Sequence, residues 1–144
     1  ATLLGVALLA AVLIAITGAI TALSDTLYPV ASLRNGFAAD FSPSSPALLR
    51  LRVLHPAIAL AAGLYIVIAA SFVNRARRLA SLVIALVATQ MAAGMLNIYL
   101  LAPIWLQLVH LLLADLLWIA LLLFTAAALE KSPSRQPAPA LAVR

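Results

Sequence analysis

Cysteine is absent from the 144 residues, and only 9% of the chain is charged. The first absence removes disulfides, thiolate metal sites, iron–sulfur clusters and covalent cofactor attachment through CxxCH. The second removes an ordinary soluble domain, in which roughly 25% of residues are Asp, Glu, Lys or Arg. Histidine is limited to two residues, so any site built on imidazole must use His55, His110 or both. The net charge is +5, but no basic stripe interleaved with aromatics occurs, and nucleic acid is not an expected partner.

What fills the chain instead is apolar sequence, 66% of it, with a mean hydropathy of +1.17. It is arranged in four blocks, at approximately 2–23, 48–73, 79–101 and 104–129, each long enough to cross a bilayer, which takes roughly 20 helical residues. Only a helix satisfies all its backbone groups within one such segment, and the blocks lack the alternation of a barrel strand. The expected fold is therefore all-α and integral to the membrane, one four-helix transmembrane bundle over 1–129 with lipid as its surroundings. The first block has no basic region before it and exceeds the roughly 7–15 apolar residues of a signal peptide, so it reads as a mature span. The chain starts at Ala1, which suggests processing or an upstream part not represented.

The connections differ in kind. Residues 24–47, "SDTLYPVASLRNGFAADFSPSSPA", form the one long loop. Its middle has the makings of a short interfacial helix, although Asn35-Gly36 is a turn signal against it. "NRARR" is short and basic, Leu101-Ala102-Pro103 is barely a turn, and the Pro/Ser/Ala-rich segment 130–144 reads as a disordered tail. Arg75, Arg77, Arg78, Lys131, Arg135 and Arg144 fall on one side, and Arg34, Arg50 and Arg52 on the other. The positive-inside rule then puts both termini in the cytoplasm and loop 24–47 outside, in a bacterial or archaeal plasma membrane. Arg50 and Arg52 stand on the disfavoured side, which suggests a partner for their charge there.

Three ionisable residues lie within the spans: His55, His110 and Asp115. Such groups are costly in lipid and are functional candidates by default. His55 is seven residues into the second span and His110 six into the fourth. At 1.5 Å per residue both lie about 10 Å below the same surface. Two imidazoles at one depth on parallel helices suit the axial positions of a flat iron porphyrin, and bundle cores commonly hold such groups. Arg50 and Arg52, one turn above His55, would meet its propionates at the water boundary. Gly18, between Thr17 and Thr21 in the first span, would let a large flat ligand approach the backbone. The plainer alternative stays open: both histidines hydrogen-bond across helices and the arginines snorkel to headgroups. Gln90 and Asn97 share a face with Gly94 nearby, a pattern that interhelical hydrogen bonding explains. Asp115 is about 140° round its helix from His110 and reads as a structural hydrogen-bonding acid, with a proton relay as the other reading.

The stretch "LVATQMAAGMLNIYLLAPIWLQLVHLLLADLLWIALLL" resembles the last two helices of heme A synthase, with its Gln- and Gly-containing helix, short Pro turn and "xWLxLxHxxxAxLLW" pattern. "RLRVLHP" and "ITGAITALSDTLYP" resemble the other two helices of the same half. Members of that family comprise two similar four-helix halves, and oxidise the methyl group of heme o to the formyl group of heme a. The resemblance implies that His55 and His110 are the axial pair of the C-terminal half, which holds a low-spin heme b. The catalytic half carries an acid four residues before its first histidine; here that position is Leu51. The expectation is a heme-holding half with no catalytic residue of its own, working with a second four-helix half or a second copy, in company with respiratory-chain proteins. The alternative is a non-catalytic subunit or assembly element of a respiratory complex.

Overall fold

The computed structural model describes residues 1–130. Six helices follow one another: α1 (Thr2–Leu27), α2 (Leu33–Phe41), α3 (Ala47–Arg52), α4 (Leu54–Phe72), α5 (Arg77–Tyr99) and α6 (Ile104–Leu129). Four stretches are long and apolar enough to cross a membrane: α1, the continuous path Ala47–Phe72 through α3 and α4, α5, and α6. The four-span, all-helical bundle is thus as expected, with no strand among the described residues. The expected tail lies, apart from Glu130, outside the described residues.

The limits of the helices have local causes. The first span runs on past residue 23, because Ser24, Asp25 and Thr26 are helix-compatible and Thr26 Oγ1 donates to the Ala22 carbonyl at 2.8 Å. It stops at Tyr28, the residue that Pro29 holds out of the helical region. The second span is bent rather than straight. Pro56 has no N–H to offer the carbonyl of Arg52, four residues back, and the helix is interrupted at Val53 between α3 and α4. Thr21 Oγ1 of α1 donates to that carbonyl at 3.4 Å, supplying a long substitute for the lost bond. The α5–α6 turn is closed by backbone alone: Leu101 and Ala102 are left-handed, at φ 60° and 52°. Leu101 N donates to Ile98 O and Ala102 N to Asn97 O, the paired bonds of a Schellman ending. The span therefore ends at Tyr99, two residues short of expectation.

Within the long loop, α2 does form. Ser32 caps it, its hydroxyl accepting from Asn35 N at 3.2 Å. Gly36 is buried against Val30 and the Arg52 guanidinium, and α2 runs through it unbroken.

α1 packs on α4, α4 on α5, α5 on α6, and α6 more lightly on α1, a closed ring in which α4 and α6 stand diagonally. The densely packed core sits at one end of this ring. It joins Leu4 and Ala7 of α1, Ile66 and Ala70 of α4, Ala80, Val83 and Val87 of α5, and Ala120, Leu121 and Phe124 of α6. At the other end, where α2, α3 and the α5–α6 turn lie, Leu49 and Leu106 are the only buried hydrophobics among the described residues. Both histidines belong to that second end.

Candidate functional site

His55 projects from the first turn of α4, just after the Val53 interruption, and meets α1. Its Nδ1 lies 3.1 Å from Thr17 Oγ1. A Cβ on Gly18 would stand 3.1 Å from His55 Cε1, tighter than ordinary packing. The ring therefore rests on bare helix backbone. The sequence suggests that Gly18 admits a large flat ligand to the backbone; the group that lies against it in the structure is the His55 imidazole.

His110, in the second turn of α6, repeats the plan against α5. A Cβ on Gly94 would come within 3.2 Å of its Cε1. Gln90 makes the interhelical hydrogen bond its spacing suggests, Nε2 donating to the His110 carbonyl at 3.0 Å, and the same nitrogen lies 3.4 Å from His110 Nε2. The two seats differ in their polar partners. His55 Nδ1 is engaged, whereas His110 Nδ1 is buried without a hydrogen-bond partner, as are Gln90 Oε1 and Asn97 Oδ1 of the same α5 face. Each such orphan costs on the order of 1–3 kcal/mol. Among the described residues no group of three or more His, Cys, Asp or Glu side chains could hold a metal ion. A bare ion thus lacks a ligand set made by protein alone, and a histidine pair suits a metal whose other positions are already filled.

The arginines part company. The Arg50 side chain is exposed and makes no hydrogen bond or ion pair among the described residues. Arg52 already has partners inside the chain: Nη1 donates to Asp25 Oδ1 at 2.8 Å, while Nε and Nη2 both donate to Asp40 Oδ1, at 3.0 and 2.6 Å. This clamp joins the end of α1, the loop helix α2 and α3, and its three side chains are 9–19% exposed. The expected free cation at position 52 is thus one arm of an internal cluster with two acids and one base. Asp25 and Asp40 were not singled out by sequence reading, since a loop carboxylate carries no spacing signal toward a base 12 or 27 residues on. Asp115 also departs from its expected role. It is exposed on the outward face of α6 and makes no hydrogen bond or ion pair among the described residues.

With the site's layout established, comparison with known proteins gives its context. Residues 1–122 match the family COX15-CtaA, described as cytochrome oxidase assembly protein. The chain belongs to that family. It is the heme A synthase family of the resemblance drawn from the sequence. Two curated relatives, each called protoheme IX farnesyltransferase and each from a different strain of Thermus thermophilus, are 40% identical to it. The similarity covers 89% of this chain and 22% of each relative, so the COX15-CtaA chain spans well under half the length of either. No solved structure matches it significantly.

Proposed function

We propose that this COX15-CtaA chain holds one heme b between His55 and His110 and serves as the heme-holding half in heme a formation, beside a second four-helix half or a second copy. The observation that carries this is the matched pair of seats. Two imidazoles on diagonal helices, at one end of the ring, each bring Cε1 up against a glycine of the neighbouring helix. The fit to a porphyrin is supported by three further features: fully buried hydrophobics are scarce at that end, His110 Nδ1 has no partner, and two helix N-termini approach it. Helices that are apolar all round suit the macrocycle, and Arg50 is a cation free to meet a propionate. Arg52 would do so only by giving up part of its hold on Asp25 or Asp40.

When bound, such a group, held by His55 and His110, would supply a one-electron couple. The chain's own contribution is to hold two rings in fixed orientations, exclude water with apolar helices, and balance charge at the loop end. That end would face outward and both chain termini the cytoplasm. Leu51 stands where the family's catalytic half carries an acid, so oxidation of heme o would belong to the partner half or copy. The name of the Thermus relatives refers to protoheme IX, which supports a place for this chain near heme metabolism. A second reading also has an observation in its favour. Thr17 and Gln90 already engage the two histidines, as they would in a non-catalytic subunit or assembly element without heme.

The deciding measurement is a reduced-minus-oxidised spectrum and pyridine hemochrome of the chain purified from membranes. Sharp low-spin bands at one heme per chain, lost in His110→Ala, are expected, and purified chain without chromophore overturns the proposal. Added heme o should remain unconverted by this chain alone.

A further inference from the structure

We infer that Thr17 is a positioning residue for His55, fixing the imidazole in the tautomer that carries its proton on Nδ1 and leaves the Nε2 lone pair bare. The inference deepens the heme reading above and rests on it for its consequence, though its first test does not.

The direction of the hydrogen bond decides the tautomer. Thr17 Oγ1 has one proton and three neighbours: the Leu13 carbonyl at 3.0 Å, the Ile14 carbonyl at 3.1 Å and His55 Nδ1 at 3.1 Å. Carbonyl oxygens only accept. If the hydroxyl donated to Nδ1, its lone pairs would face two carbonyl oxygens at close range with no proton between. If it shares its proton between the two carbonyls, as threonines in helices do, its lone pair faces Nδ1 and that contact is attractive provided Nδ1 carries the proton. Gly18 closes the other side of the seat, holding Cε1 against the α1 backbone. The ring is thus held by a hydrogen bond at Nδ1 and by contact at Cε1, with Nε2 left as the nitrogen free to bind a metal. This is how outer partners orient metal-binding histidines, and an acceptor at the far nitrogen makes the imidazole a stronger donor to iron. His110 has no counterpart, since its Nδ1 is without a partner. The two axial nitrogens are therefore inequivalent by construction, with His55 the pre-set one.

The test uses the full chain in bilayers and two variants, Thr17→Val, which keeps the shape without the hydroxyl, and Thr17→Ser, which keeps the hydroxyl. Nitrogen-15 NMR of labelled histidine in heme-free chain should show His55 with Nδ1 protonated in the parent and in Thr17→Ser. Thr17→Val should shift it to a mixture or to the other tautomer. In heme-loaded chain, Thr17→Val should weaken retention by about tenfold, the lower end of what losing such a partner costs. Its midpoint potential should rise, while Thr17→Ser stays close to the parent. Parent chain with Nε2 protonated, or a Thr17→Val that shifts neither tautomer nor potential, overturns the inference. Parent chain that never binds heme overturns the proposed function instead, and leaves the NMR result to decide the tautomer.

Discussion

Removing the Arg52 guanidinium should damage this fold more than removing either of its partners, and the size of the effect follows from the geometry. Arg52→Gln deletes three charge-assisted hydrogen bonds and leaves Asp25 and Asp40, 19% and 9% exposed, without a counter-charge. Breaking a buried pair from one side costs about 3–5 kcal/mol, mostly through the charge left behind. Here solvent reaches all three side chains to some degree and either acid can protonate, which brings the expectation down to about 2–3 kcal/mol. Asp40→Asn removes the negative charge from the acceptor of two of the three bonds, and Asp25→Asn removes it from the acceptor of one. Each leaves Arg52 one carboxylate, so costs of about 1–1.5 and 0.5–1 kcal/mol are expected, near the value of charged hydrogen bonds at a partly wet site. At this chain length a kcal/mol corresponds to about 3–4 °C, so thermal melts in detergent should rank Arg52→Gln below Asp40→Asn below Asp25→Asn, spread over about 6 °C. The triple variant Arg52→Gln/Asp25→Asn/Asp40→Asn should recover much of the loss, because no orphan charge remains. If Arg52→Gln melts no lower than Asp40→Asn, the clamp is a surface ion pair of little consequence and the argument fails.

Two further outcomes separate the ends of the bundle. Gly18→Ala and Gly94→Ala should each raise helix propensity by up to about 1 kcal/mol yet lower heme content, because their new Cβ atoms press on His55 Cε1 and His110 Cε1 at 3.1 and 3.2 Å; Gly5→Ala, with nothing within 4 Å, should leave content unchanged. Hemochrome assay beside a melt checks both signs at once. Phe124→Ala, at the fully packed end, should lower stability by about 1–3 kcal/mol, less than the 3–5 of an aqueous core because lipid shields the side chain in the reference state, and should leave any heme spectrum in place.

The number of spans and the composition of their ends were legible because both rest on local sequence. Apolar runs of bilayer length define α1, α5 and α6, and Pro103 opens α6 where expected. The bend at Val53 was written in Pro56, but a proline near the start of a long apolar block looks the same whether it opens a helix or breaks one. His55 and His110 stood out as the only histidines, and the glycines near them were visible too. What sequence spacing did not reveal was pairing across helices: that Gly18 seats His55, that Gly94 seats His110, and that Arg52 answers Asp25 and Asp40. Those contacts join residues 12 to 38 positions apart, and no local periodicity reports on them. Asp115 shows the converse. Its depth on α6 was legible, but which way it faces depends on the ring order of the helices, which places it outward.

The unequal packing of the two ends bears on how the bundle stays assembled. With no hydrophobic force between helices in lipid, association rests on packing and interhelical hydrogen bonds. One end uses the first, through small and branched residues interlocked around Phe124, Ile66 and Val83. The histidine end uses the second, through Thr17–His55, Thr21–Arg52 and Gln90–His110, together with the charge clamp that α2 draws over α1 and α3. A polar end of this kind can change what lies between its helices without disturbing the packed end, because the side chains that would rearrange are few and none belongs to the buried cluster. The α1–α4 seat, with its hydroxyl and clamp, is the fixed half of that arrangement. The α5–α6 seat, with three buried polar atoms unpartnered, is the half that has most to gain from an additional ligand.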